Sequence, residues 1–188
     1  VDQNEDGAID ILDRTFIGNP NPDFVYGFNL NFKLKRLTAN FLFNGVYGND
    51  VANGNLIKLN SAEGLQNNIS PNAYNNAWRP DAQTNLYPRL GYAEIPNQII
   101  GISDRIIEDG SYLRLNNVTI GYDIPVENSS TFDRVNVYIA GQNLATWTNY
   151  SGYNPEISSF MYTGLINGVD WNGAPNAKTF LLGLNINF

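Results

Sequence analysis

Five stretches of this chain alternate apolar and polar positions, which is the pattern of β-strands, whose successive side chains point to opposite faces. They span residues 24–35, 37–47, 111–124, 134–144 and 178–188. In the third stretch Leu113 and Leu115 are out of phase with Val118, which predicts either a bulge at Asn116 and Asn117 or a first part of the strand that lies above a membrane. In the last stretch one face carries Phe180, Leu182, Leu184, Ile186 and Phe188, and the other carries Leu181, Gly183, Asn185 and Asn187. The pattern predicts an all-β fold of about five strands.

The connections between these strands alternate between short and long. Residues 35–36 and 125–133 read as turns, whereas 48–110 is rich in Asn, Gly, Pro and Ser and lacks periodicity, and 144–177 reads as a second long loop. Short turns on one side and long loops on the other are typical of outer-membrane barrels. A tilted strand of about ten residues rises about 23 Å, close to the apolar band of such a barrel. We therefore expect strands of an antiparallel transmembrane β-barrel with long extracellular loops.

Composition narrows the possible functions. Apolar residues make up 43% and aromatic residues 13% of the 188 positions, which argues against disorder. The net charge of −7 argues against a nucleic-acid partner, since no basic surface would replace phosphate counterions. The sequence contains no cysteine and no histidine, which removes disulfides and the usual general base. It also lacks an apolar run of the roughly 20 residues that a spanning helix requires.

The two ends of the sequence suggest a piece of a longer protein. Val1 leads directly into an acidic loop, without an initiator methionine or a signal-peptide pattern. The last strand ends at Phe188 without a polar tail. We expect the chain to be a fragment of a longer exported protein, and the alternative is a mature soluble domain.

An acidic motif near the start has the spacing of a calcium-binding loop. It follows the pattern D-x-[DN]-x-[DN]-G-x-[IV]-D-x-x-D, with Gly7 at the sharp turn. No flanking helices or second copy follow, so an EF-hand protein or a true dockerin is not expected. The alternative is an Asx-rich surface turn that binds no metal. The predicted Ca²⁺ ligands are the side chains of Asp2, Asn4, Asp6, Asp10 and Asp13 and the carbonyl group of Ala8.

The second long loop contains aromatic residues that could stack on a ligand. We consider Trp147, Tyr150, Tyr153 and Trp171 as candidate ligand-binding residues. The alternative is that they pack loops or form the aromatic girdle of a barrel. A different protein class would use the same residues, namely a secreted calcium-stabilised β-sandwich carbohydrate-binding module.

A third hypothesis is a glycosidase that uses carboxylates such as Asp104, Glu108 or Asp109. That chemistry needs an acid and a base on opposite sides of the scissile bond. The three residues form one short cluster, and nothing in the sequence pairs them with a partner, so a solvated charge cluster is the simpler interpretation. We do not expect an enzyme.

Four phrases of the sequence resemble SusC/RagA-type TonB-dependent outer-membrane transporters. They are DRTFIGNPNPDF at 13–24, EDGSYLRLNNVTIGY at 108–122, GQNL at 141–144 and YSGYNPE at 150–156, together with the terminal aromatic strand. Gly141 stands where Ser or Ala is expected. The resemblance covers essentially the whole chain.

The resemblance implies a barrel of about 22 strands around a plug, in the outer membrane of a Gram-negative, Bacteroidetes-like cell. Residues 1–23 would form an extracellular loop carrying the calcium motif, and 24–188 would form the last part of the barrel. Such transporters import glycans or peptides with a SusD-like surface lipoprotein, and they draw energy from the TonB complex through an N-terminal region that this chain lacks. The apolar strand faces would contact outer-membrane lipid.

Overall fold

A computed structural model of the chain describes residues 2–8, 11–60, 68–84, 86–87, 89–90, 103–126, 131–159 and 166–188. It contains eight described strands, two short α-helices and two 3-10 helices. The 3-10 helices are Ile11–Asp13 and Asp104–Ile106, and the α-helices are α1 (Asn55–Leu59) and α2 (Pro71–Asn76). The strands are β1 (Phe24–Leu34), β2 (Leu37–Tyr47), β3 (Asp50–Asn53), β4 (Ile107–Asp109), β5 (Tyr112–Ile124), β6 (Arg134–Thr148), β7 (Val169–Asp170) and β8 (Thr179–Asn187). Neither described α-helix is long and apolar enough to cross a membrane.

The five long strands form one antiparallel sheet in the order β1-β2-β5-β6-β8. Each strand pairs with the next long strand in the sequence, so the sheet is a simple meander. This arrangement confirms the predicted all-β fold with about five antiparallel strands. The predicted end of the fourth strand at residue 144 is wrong, because β6 continues to Thr148. The alternation is interrupted there by a bulge, after which Ala145 pairs with Leu115 and Trp147 pairs with Leu113.

The strand register brings the apolar positions of all five strands onto one surface, which we call the apolar face. One row across the sheet pairs Phe32 with Ala39, Ala39 with Ile120, Ile120 with Ile139 and Ile139 with Leu182. Within this face the rings of Phe28 and Phe43 stack with centroids 4.6 Å apart, an arrangement that stabilises neighbouring strands. The apolar face is therefore continuous from β1 to β8.

The adjacent row of the register lies on the opposite surface, which we call the amide face. It runs through Asn31, Asn40, Thr119, Ala140 and Leu181. The side-chain amide of Asn40 donates a hydrogen bond of 2.8 Å to Oδ1 of Asn29 on β1. Small and amide side chains thus form most of this face, as the alternation predicted.

A bulge near the middle of β5 explains why its first apolar residues are out of phase. Between Asn117 and Leu115 the pairing skips Asn116, both toward β2 and toward β6. The extra residue returns Leu113 and Leu115 to the apolar face beside Val118. On β6 the corresponding irregularity includes Asn143, which has a positive φ of 54°. The predicted bulge at Asn116 and Asn117 is confirmed.

The two long connections contain a second, smaller sheet with the order β4-β3-β7. Strand β3 starts only three residues after β2 ends and pairs antiparallel with β4 and parallel with β7. The sequence did not predict these strands, because two to four residues are too few to display an alternation. The small sheet contains the fully buried side chains of Val51 and Asp170. It gives the long connections a packed centre next to the ends of the long strands.

Candidate functional site

The end of the amide face that lies nearest the long connections holds a buried arginine. Arg114 is 4% exposed, and its guanidinium donates to Oγ1 of Thr146 at 3.0 Å and to Oδ1 of Asn154 at 2.7 Å. It also forms an ion pair with Glu156, which accepts a hydrogen bond from the hydroxyl of Tyr112. A planar guanidinium offers several donors in a fixed geometry, so one side chain holds several partners at once. The 154–156 segment is thereby fixed to the sheet.

A second buried contact joins the same loop to the small sheet. The hydroxyl of Tyr150 donates to Oδ2 of Asp170 at 2.6 Å, and Oδ1 of Asp170 accepts from the backbone N–H of Gly173 at 3.0 Å. Burial and this carboxylate raise the pKa of Tyr150 above its ordinary value. Tyr150 therefore stays protonated and acts as a donor, with its ring 5% exposed.

Two of the carboxylates named for glycosidase chemistry, Glu108 and Asp109, accept hydrogen bonds from nearby serine residues. Oε1 of Glu108 accepts from the hydroxyl of Ser151 at 2.7 Å, and Oε2 accepts from its backbone N–H at 3.0 Å. Oδ1 of Asp109 accepts from the backbone N–H of Ser111 at 2.8 Å. Hydrogen bonds from the Ser111 side chain and backbone lower the pKa of Asp109. Asp104 begins a 3-10 helix. Glu108 thus anchors the start of the 151–154 segment.

The four candidate ligand-binding aromatics fall into three different environments. Trp147 is 52% exposed and pairs in register with Leu113 on the apolar face, and Tyr150 is buried as described. Tyr153 and Trp171 are 77% and 41% exposed, and both line one groove of about 540 Å³. The structure brings only this last pair together.

The groove, and the buried contacts that fix the long connections, include residues that were not predicted from the sequence as functional. Asn55 and Lys58 line the groove from α1, a helix of five residues that is too short to show a helical period. Arg114 and Glu156 lie within the quoted phrases YLRLNN and YNPE. A lone arginine inside an alternating strand was the signal that could have identified the first of them.

The acidic loop folds with several features of the predicted calcium motif. Gly7 has a φ of +84°, and its backbone N–H donates to Oδ2 of Asp2 at 2.8 Å. The backbone N–H of Gln3 donates to Oδ1 of Asp13 at 2.7 Å, and that of Ala8 donates to Oδ1 of Asp6 at 2.8 Å.

The predicted metal ligands are only partly described. Asp10 lies outside the described residues, whereas Asn4 lies within them and accepts from the backbone N–H of Asp6 at 3.1 Å. Among the residues that are described, no three Asp, Glu, His or Cys side chains lie close enough together to hold a metal ion. The predicted metal ligands at the described positions are all oxygen atoms, which are the ligands that Ca²⁺ prefers. Calcium binding stays a prediction.

Comparison with known proteins gives related sequences over the whole chain. No family model matches the chain. It is 34% identical over 194 residues to TonB-dependent receptor P3 of Formosa agariphila, covering 100% of this chain and 18% of that receptor. It is 32% identical over 197 residues to TonB-dependent receptor SusC of Bacteroides thetaiotaomicron, covering 100% of the chain and 17% of SusC. The chain spans less than a fifth of the length of these relatives.

Solved structures show the same fold. The RagAB peptide importer in its closed-closed state matches with a TM-score of 0.76 and 25% identity, over 92% of this chain and 18% of that chain. Its open-open state matches with a TM-score of 0.74 and 26% identity, over 89% of this chain and 17% of that chain. Over its whole length the chain therefore belongs to the SusC/RagA-type TonB-dependent receptors, and its five-stranded sheet is a segment of their β-barrel.

Proposed function

We propose that this chain forms part of the wall of a TonB-dependent importer in the outer membrane of a Bacteroidetes-like cell. The apolar face would contact lipid, and the amide face would line the lumen. One observation carries this proposal: the apolar face is continuous yet exposed, with Leu182 at 77% and Phe180 at 76%. A strand wall between lipid and water has this two-sided character.

The burial pattern disfavours the alternative of a secreted carbohydrate-binding β-sandwich. In a sandwich the inner apolar faces of two sheets pack against each other to form the core. Among the described buried apolar residues, Tyr112 alone lies on a long strand. The others lie in the long connections; they are Val51, Ala73, Ala77, Ile106 and Tyr150. Lipid is therefore the better candidate to cover the apolar face.

The importer would take up glycans or peptides together with a SusD-like surface lipoprotein. This part of the proposal is supported by the similarity to SusC and to the RagAB peptide importer. Energy for uptake would come from the TonB complex. Uptake of labelled glycans and labelled peptides by cells with and without the receptor gene would test the substrate class.

Two neighbouring leucines on β8 test the wall directly. Leu182 lies on the apolar face and Leu181 lies on the amide face, and they are 77% and 51% exposed. Arginine on the lipid face near the midplane of a barrel costs about 2–4 kcal/mol, whereas lumen positions tolerate charge. In the full-length receptor, we expect Leu182→Arg to reduce the folded fraction in heat-modifiability gels of outer membranes. Leu181→Arg should assemble normally, and equal folded fractions of the two variants would contradict the proposal.

We also propose that the 2–13 loop binds Ca²⁺ and stiffens the approach to β1. The positive φ of Gly7 and the hydrogen bond that links Gln3 to Asp13 support a loop that is already closed on itself. Asp2, Asn4, Asp6, Ala8, Asp10 and Asp13 would supply the oxygen ligands. The ion would offset the repulsion between the carboxylates and order the loop.

A further inference from the structure

We infer that the groove lined by Tyr153 and Trp171 is a binding site for an uncharged oligosaccharide. This inference rests on the proposed import function, because it names the class of molecule that the receptor would hold at its loops. The groove lies between α1 and the segments 151–153 and 171–173, with a volume of about 540 Å³. Small-molecule sites usually measure roughly 300–1,000 Å³, so the size is appropriate.

The walls of the groove are fixed by hydrogen bonds between its three segments. The backbone N–H of Gly54 donates to the carbonyl oxygen of Asp170 at 2.8 Å. The backbone N–H of Asn172 donates to Oδ1 of Asn55 at 2.8 Å, and the side chain of Asn53 donates to Oγ of Ser151 at 3.3 Å. These contacts join α1, β7 and the 151–153 segment. A groove held in this way is preorganised, so ligand binding does not have to order it.

The indole of Trp171 is held against one side of α1. A Cβ atom at Gly54 would stand 2.2 Å from Cε3 of Trp171, so the ring packs directly on the glycine backbone. One turn later, Nζ of Lys58 lies 5.8 Å from the centroid of the same ring. The indole remains 41% exposed, and Tyr153 is 77% exposed. Two aromatic surfaces are therefore available to a ligand within one groove.

The polar lining suits hydroxyl groups better than charged groups. Asn55 and Asn172 line the groove, and a side-chain amide both donates and accepts hydrogen bonds, as a sugar hydroxyl also does. Among the described residues that line it there is no carboxylate and no guanidinium, and Lys58 faces the Trp171 ring. A peptide with charged termini or side chains would find little countercharge here. Aromatic faces and amides match the C–H faces and hydroxyls of a sugar chain.

The test uses the full-length receptor purified in detergent and a broad array of immobilised neutral oligosaccharides. Any oligosaccharide that binds is then titrated by calorimetry against the receptor and its variants. We expect Tyr153→Ala and Trp171→Ala each to weaken binding about tenfold, from loss of an aromatic contact. Tyr74→Ala is the matched control, since Tyr74 is 58% exposed on α2 and does not line the groove.

A second variant changes the groove without altering any of its polar or aromatic side chains. Gly54 has a φ of −61°, which alanine adopts freely, so Gly54→Ala affects mainly the position of the Trp171 ring. We expect it to weaken oligosaccharide binding as Trp171→Ala does. Because Tyr153 is so exposed, its variant should fold normally and keep the test valid if Trp171→Ala is unstable.

Three results would overturn the inference while leaving the import function intact. The first is that no oligosaccharide on the array binds, and the second is that neutral peptides bind with the same dependence on Tyr153 and Trp171. The third is undiminished oligosaccharide binding by the Tyr153 and Gly54 variants. Failure of the proposed import function would be seen separately, in the uptake of labelled glycans and peptides and in the assembly of the Leu182→Arg and Leu181→Arg variants.

Discussion

The hydroxyl of Tyr150 lies 2.6 Å from Oδ2 of Asp170, and the two side chains are 5% and 1% exposed. Tyr150 lies two residues after the end of β6, and Asp170 lies in the small sheet, so the hydrogen bond joins the second long connection to that sheet. A buried carboxylate is stable only when its oxygens are hydrogen-bonded, and Asp170 obtains its other bond from Gly173. The pair therefore fixes the connection between β6 and β8 to the small sheet.

Removal of this hydroxyl should loosen the connection. We expect Tyr150→Phe to destabilise the folded loops by about 1–3 kcal/mol, because a buried acceptor loses its partner. Hydrogen exchange of residues 151–159 and 169–173 in the detergent-solubilised receptor should become faster. Tyr153→Phe is the control, since the Tyr153 side chain is 77% exposed. Unchanged exchange in Tyr150→Phe would show that the bond contributes little.

Two arginine ion pairs of the described structure should differ sharply in their contribution to stability. Arg114 is buried and binds Glu156, whereas the side chain of Arg134 is 57% exposed and binds Asp123 at 2.8 Å. We expect Arg114→Met to lower the free energy of unfolding by about 2–3 kcal/mol, since Glu156, Asn154 and Thr146 each lose the hydrogen bond that the guanidinium donates. Arg134→Met should cost less than about 1 kcal/mol.

Urea unfolding of the two variants in the same detergent makes this comparison. The double variant Arg114→Met with Glu156→Gln should lose less stability than the two single variants together, because the uncompensated carboxylate is then neutral. Equal losses for Arg114→Met and Arg134→Met would contradict the role assigned to Arg114.

A tyrosine covers a glycine on the neighbouring strand of the amide face. Gly183 pairs with Tyr138, and a Cβ atom at Gly183 would lie 2.2 Å from Cζ of the ring. We expect Gly183→Ala to destabilise the β6-β8 pairing by about 1–3 kcal/mol through overpacking. Gly27→Ala on the same face is the control, since its Cβ would meet only the carbonyl oxygen of Phe43 at 3.4 Å. Thermal unfolding in detergent measures both variants, and Tyr138→Ala should rescue Gly183→Ala.

Calcium should protect the N-terminal loop if the predicted ligands bind it. We expect millimolar CaCl₂ to slow proteolysis within residues 2–13, because extracellular calcium modules bind at about 0.1–1 mM. Excess chelator should reverse the protection, and Asp2→Ala should abolish it. Glu5→Gln removes one negative charge from the same loop at a position that is not a predicted ligand, so protection should persist in that variant. Equal loss of protection in both variants would indicate charge repulsion without a specific site.

The long strands could be predicted from the sequence because each carries a run of alternating apolar and polar residues. The bulge at Asn116 could also be predicted, since Leu115 and Val118 are out of phase. The continuation of β6 to Thr148 could not, because its own bulge places Asn143 in a left-handed conformation and interrupts the pattern.

The structure of the long connections could for the most part not be predicted from the sequence. Strands β3, β4 and β7 are too short to show a period, and their pairing joins residues more than fifty positions apart along the chain. Two of the four candidate aromatics, Tyr153 and Trp171, do line one groove. Tyr150 differs from these two residues because it is buried against Asp170. That burial depends on tertiary packing and cannot be recognised in the local sequence.

The bulge in β5 also bears on how this stretch of chain can change length. Before Asn116 the odd-numbered residues of β5 lie on the apolar face, and after it the even-numbered ones do. Loss or gain of a single residue elsewhere in a long strand would turn every following side chain of that strand to the wrong surface. At Asn116 an extra residue is already accommodated. We expect length variation among related receptors to occur in whole pairs within strands, or as single residues at this position.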